Sequence, residues 1–187
     1  MVEDNGYAAH NGYIDDGEPA QSENVTALSY LICPRDAAGG FVGALMVTDA
    51  RLRPVHFAFV SPIRPTKIQR ILYGPTLEEH LSVDVIGKKL LADLPVVPDV
   101  LLVDTPELTA VRRIAGVPTA FLQKADSDPS GGNLSSLQYD TGGNVDDQDT
   151  VGQILASLEM QVDLVEPFQR MREALREAIK SGDSAGE

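Results

Sequence analysis

The chain has 187 residues, 43% of them hydrophobic, a formal charge of −13 and a sequence pI ≈ 4.5. That length fits one domain with tails. A pI this low argues against a stand-alone nucleic-acid binder, for which values above about 9 are usual. The single cysteine, Cys33, excludes an internal disulfide framework and a multi-cysteine metal site, and suits a reducing setting.

The acidity is uneven. Residues 1–25 carry −6 and residues 126–150 another −6, whereas residues 26–125 sum to +2. Within that body, Arg51 to Leu77 holds five Arg or Lys and no acid.

Residues 1–24, rich in Gly, Asn and Asp, predict a disordered acidic arm. "NGY" occurs in it twice, and the alternative reading is a short linear motif with Tyr7 and Tyr13 as anchors. The arm opens with neither the basic nor the apolar region of a secretory signal. No apolar run approaches the ~18–20 residues that span a bilayer. The expectation is a soluble, cytoplasmic protein without membrane association.

Three strand-like runs follow: 25–33, 40–49 and 54–61. In the third, Val55, Phe57 and Phe59 alternate with His56, Ala58 and Val60, the period of a strand with one better-buried face. Short connections predict an antiparallel meander.

Pro65 and Gly74 bracket a helix with Ile68, Ile71 and Leu72 on one side and Lys67 and Arg70 on the other. Thr76 with Glu79 three residues on has the spacing of a capping box, opening a helix towards Leu94.

"DVLLVD" (99–104) reads as a buried strand, "PELTAVRRIAG" (106–116) as a helix and "VPTAFLQ" (117–123) as a second buried strand. Together they form a parallel βαβ unit. Leu101, Leu102, Val103, Phe57 and Phe121 are expected among the most buried side chains. Residues 124–150 predict a mobile acidic loop. From 151 to 181 the pattern is helical and interrupted at Glu166–Pro167. Its apolar side either packs on the core of residues 25–123 or serves self-association or partner docking.

The layout is α/β with a mixed sheet: a three-strand antiparallel meander, then βαβ, plus a C-terminal helix. With "PDVLLVDTPEL" and "GVPTAFLQKAD", it resembles the ribonuclease H-like superfamily, and endonuclease V within it, over residues 25–123. The resemblance implies a strand ending in a metal-binding aspartate, here Asp104. It also implies further carboxylates that hold two divalent metals, Mg or Mn, for attack at phosphorus.

The sequence departs from that pattern in its first strand. There "SYLIC" offers Cys33, a soft ligand beside hard oxygens. The remaining candidates are Asp36, Asp49 and Glu79, although the capping box alone also accounts for Glu79, and helix capping for Asp104. His10, His56 and His80 are dispersed, and no phosphate-binding glycine loop is present.

The basic segment contributes Arg51, Arg53, Arg64, Lys67 and Arg70, expected as one exposed patch for an acidic partner or a nucleic-acid backbone. Its own acidic arm is a competitor for that patch. The reading is a non-catalytic accessory module without a cofactor, docking through residues 51–70 and the C-terminal helix. The alternative is a metal-dependent nuclease.

Overall fold

Alternating side chains on two doubly buried strands organise the molecule. In the computed structural model, which describes residues 9–11, 27–125 and 137–183, with side chains for 27–125 and 137–181, β2 (Leu28–Ile32) is buried along its whole length. The same holds for β5 (Val100–Val103). Leu28, Tyr30 and Ile32 point to one core cluster and Leu31 to another, as a period of two requires. Both strands therefore lie in the middle layer of three.

The other strands are β1 (Ala9–Asn11), β3 (Phe41–Thr48), β4 (Pro54–Ile63), β6 (Thr119–Lys124) and β7 (Leu137–Asp140). The sheet order is β1-β4-β3-β2-β5-β6-β7. β2, β3 and β4 form the expected antiparallel meander, while β2–β5 and β5–β6 are parallel. β1 lies antiparallel on β4, and β7 lies antiparallel on β6.

One face is covered by α5 (Val145–Glu159) and α6 (Glu166–Asp183), through Val151, Leu155, Leu158, Phe168, Met171 and Leu175. The opposite face is covered by residues 74–92 and 106–115. Residues 74–92 pass through a 3-10 turn (Gly74–Thr76), α2 (Leu77–Glu79), a π-helix (His80–Gly87) and α3 (Lys88–Ala92). The βα connection is a 3-10 helix (Pro106–Val111) running into α4 (Arg112–Ala115), closed by Gly116 at φ 69°.

Gly43 explains how the π-helix sits so close to β3. A Cβ there would collide with Ile86, so only glycine leaves room. α1 (Lys67–Tyr73) is different, because it has no buried residue.

Several expectations are corrected. The box forms ten residues earlier than the spacing suggested. Thr66 Oγ1 accepts from Gln69 N–H at 3.2 Å, and Gln69 Oε1 accepts from Thr66 N–H at 2.8 Å. Thr76 makes no such cap and donates its hydroxyl to Tyr73 O instead.

β4 buries Ala58 and Val60 rather than the expected Phe57. Val55 is 61% exposed and Phe57 and Phe59 are half-buried, because α6 covers that face only partly. Phe121 is also half-buried, whereas Leu101, Leu102 and Val103 are fully buried.

Where a mobile loop was expected, residues 137–140 form β7 and the helix begins at Val145, six residues before the predicted 151. Of the expected disordered arm, Ala9–Asn11 is strand β1. The rest of 1–24, with Tyr7 and Tyr13, and residues 126–136 lie outside the described residues. Pro167 occupies the first turn of α6, where a missing N–H leaves no bond unmade. No helix among the described residues is long and apolar enough to cross a membrane.

Candidate functional site

Two places could carry function: the carboxyl ends of the parallel strands and the projecting helix α1. In open α/β sheets, ligands bind beyond the carboxyl ends of the strands. At that edge Cys33 follows β2 and Thr105 closely follows β5. Together with Glu78, Glu79, Ser82 and Glu107 they line a cleft of about 550 Å³.

Asp104 follows β5 beside this cleft. Its side chain is 9% exposed, and Oδ2 accepts from Arg172 Nη2 of α6 at 2.6 Å. Oδ1 is buried without a hydrogen-bond partner among the described residues. Burial therefore holds the Asp104 carboxyl above the ordinary value, with Arg172 opposing it.

A second Asp–Arg pair shows the reverse. Asp147, in the first turn of α5, receives Arg112 Nε at 2.6 Å and Nη2 at 3.1 Å on its two oxygens. Thr119 N–H adds a bond at 3.3 Å. The Arg112 fork lowers the Asp147 pKa despite its burial.

The other predicted carboxylates go elsewhere. Asp36 organises the β2–β3 turn: Oδ1 accepts from Ala38 N–H at 2.9 Å and Gly40 N–H at 2.6 Å, and Oδ2 pairs with Arg64 at 3.2 Å. Asp49 organises the β3–β4 turn, accepting from Arg51 and Arg53 N–H. Since Thr48 pairs with Leu28, and Leu28 with Val100, Asp49 lies at the amino end of β5. Asp104 lies at the carboxyl end, roughly 13 Å away along the strand. Glu79 pairs with Arg113 at 3.0 Å, and the same guanidinium pairs with Asp84 at 2.6 Å.

Among the described residues, no group of three or more His, Cys, Asp or Glu could hold a metal ion. The two-metal set implied by the resemblance does not fit this arrangement. Cys33 adds no nucleophile: its thiol donates to Ser82 O at 3.6 Å, and burial raises its pKa far above the ordinary value.

The expected single basic patch is also corrected. Arg51 and Arg53 sit in the turn before β4, and Arg64, Lys67 and Arg70 lie after it. A ten-residue strand separates the two groups by roughly 30 Å.

The second group shares α1 and its approach with an uncovered apolar stripe. Ile68, Ile71 and Leu72 are 69%, 70% and 76% exposed. The capping box fixes the start of α1, and Gly74 N–H bonds Arg70 O at its end. Tyr73 then stacks on His80 at 4.4 Å, and His80 Nδ1 lies 3.3 Å from Asp84. α1 is thereby capped at both ends and stacked through its last residue while its stripe faces solvent.

Sequence reasoning missed the Tyr73–His80 stack, the Arg113 bridge and both Asp–Arg pairs, because each joins residues from separate elements. The cleft had a legible signal in polar residues directly following two apolar strands.

A three-strand meander continued by a parallel βαβ unit, with helices on both faces, is the ribonuclease H-like fold. Solved structures of endonuclease V are similar to it. Human ENDOV superposes with a TM-score of 0.51 at 11% identity, covering 85% of this chain and 86% of that one. An endonuclease V of Ciona intestinalis, in complex with a 24mer DNA containing an inosine followed by a ribo-adenosine, gives 0.35 at 11% identity. That match covers 74% of this chain and 58% of the other. The likeness shows the fold alone. Neither a family model nor a curated protein matches the sequence.

Proposed function

We propose that this chain is a non-catalytic binding module on a ribonuclease H-like scaffold, engaging a protein partner through α1. One observation carries the reading: three neighbouring aliphatic side chains on a helix capped at both ends are each more than two-thirds exposed. Scattered exposed apolar residues are ordinary, but a contiguous exposed group marks an interaction surface. Covering one such side chain fully would contribute roughly 1.5–3 kcal/mol. The dispersal of Asp36, Asp49, Glu79 and Asp104 weighs on the same side.

The test places a photo-reactive benzoylphenylalanine at position 72 in cells, with the same group at exposed Gln153 on α5 as control. A protein adduct specific to position 72 is expected. Equal yields at both positions, or none at either, would sink the reading.

The nuclease reading keeps one supporting observation, the unpartnered Oδ1 of buried Asp104 at the end of β5. It requires Mg²⁺- or Mn²⁺-dependent cleavage of DNA or RNA that Asp104→Ala abolishes.

A further inference from the structure

The chemistry around α1 also specifies its occupant. On α1, Ile68 and Ile71 are three residues apart and Ile68 and Leu72 four, so they form one ridge. Lys67 and Arg70 share the helix, and both are exposed. Arg64 stands just before it, pairing with Asp36 at 3.2 Å while its side chain stays 63% exposed. The surface is an aliphatic ridge with a cationic margin.

A nucleic-acid backbone would answer the cations and leave the aliphatic ridge in water. Tyr73, the aromatic neighbour, is already stacked on His80 and offers no free ring face on that side. Among the described residues, a second copy of the chain is a poor complement as well. Both long helices bury their apolar stripes against the sheet, and the outer face of α6 alternates Arg176 and Lys180 with Glu173 and Glu177.

The match for both features is an amphipathic protein segment whose two or three apolar side chains are flanked by Asp or Glu. Resting on the reading above, we infer that α1 docks such an acidic amphipathic segment of a partner protein. The apolar contacts hold the complex, and Arg64, Lys67 and Arg70 select acidic partners over basic ones. Capping at both ends and the Tyr73–His80 stack pre-order the surface, so little ordering remains for binding.

The experiment measures fluorescence anisotropy with the full chain and three probes. The first is a synthetic peptide of about 15 residues with Leu at helical spacing and Glu on both flanks. The second is a scrambled peptide of the same composition, and the third a DNA duplex. The patterned peptide is expected to bind at least about tenfold tighter than the scramble. Its affinity should fall between about 0.1 M and about 1 M salt, as the screening length drops from roughly 10 to roughly 3 Å.

Ile68→Ser/Ile71→Ser/Leu72→Ser and, separately, Arg64→Glu/Lys67→Glu/Arg70→Glu should each lose about tenfold or more. Leu72→Asp alone should lose binding in the same direction, and it keeps the test decisive should either triple variant unfold.

Equal binding of patterned and scrambled peptides overturns the inference, as does tighter binding of DNA. So does self-association of the chain that the Ser variant abolishes, which would make a second copy the occupant. An adduct at position 72 without peptide binding overturns the acidic partner and leaves the docking role of α1 standing. Absence of both removes the two together.

Discussion

Two helices of this protein, α1 and α6, have similar sequence patterns and opposite fates. α6 carries Phe168, Met171, Leu175 and Ile179 along one side, and α1 carries Ile68, Ile71 and Leu72. Phe168, Met171 and Leu175 are at most 2% exposed, whereas the α1 trio is about 70% exposed. Phe168 meets Tyr30 of β2 edge-on, with ring centroids 5.2 Å apart. Arg172 reaches Asp104, and Arg170 Nη2 donates to Leu52 O at 2.9 Å. α1, by contrast, contacts mainly the residues that follow it, Gly74–Thr76 and α2. An apolar stripe thus reports amphipathicity and leaves open whether the protein itself or another molecule covers it. Of the two sequence readings of the C-terminal helix, packing on the core and docking, its apolar stripe follows the first, since it is buried on the sheet.

The comparison breaks first at Phe168. Phe168→Ala should destabilise by about 3–5 kcal/mol in urea unfolding, because it leaves a cavity against Tyr30. A change near zero would mean that α6 is not held as described.

Asp147→Asn, which undoes the anchor of α5, should cost about 2–4 kcal/mol at neutral pH, by weakening a largely buried pair with Arg112. The folded pKa of Asp147 lies below the ordinary value of 3.8. Its stabilisation is therefore present above that value and lost as pH falls through the folded pKa. The gap between wild type and variant should stay level from about pH 5 upward and close below about pH 4. A gap that persists under acid would refute the ionic origin.

Thr66→Ala removes the α1 cap and should cost about 1 kcal/mol or less, since α1 buries nothing. Hydrogen exchange should quicken in Lys67–Tyr73 and hardly elsewhere. A global change in protection would show that α1 is coupled to the core.

The smallest effect sharpens the contrast most. Leu72→Ser should shift stability by no more than about 0.5 kcal/mol, as expected of a surface site. A loss of several kcal/mol would place Leu72 in the core and remove the basis for docking.

Short-range pattern accounts for what was legible. Apolar runs located β2, β3, β5 and β6, and the short turns and the βα connection gave their polarity. Local spacing failed where two residues compete for one role. Thr66 and Thr76 both stand three residues before a capping partner, but only Thr66 has the extended backbone that a cap requires, with φ −66° and ψ 162°. β4 alternates large and small apolar residues, so its period is visible while its inward face depends on which helix covers it.

The candidate site was less legible still, because charges were assigned by number rather than by position. Five cations without an intervening acid appear as one segment, yet a ten-residue strand holds the two halves at opposite ends of the sheet. Four carboxylates with the order of a metal set were drawn off by nearer tasks: two organise turns and two pair with arginines from distant elements. The sequence by itself determined the strands β2 to β6, the amphipathic helices and the fold class, since those follow from the periodicity of neighbouring side chains. Only the tertiary structure decided which apolar stripe was buried, which carboxylate met which arginine and which face stayed open. Those outcomes depend on contacts between residues far apart in the chain, to which local periodicity is blind.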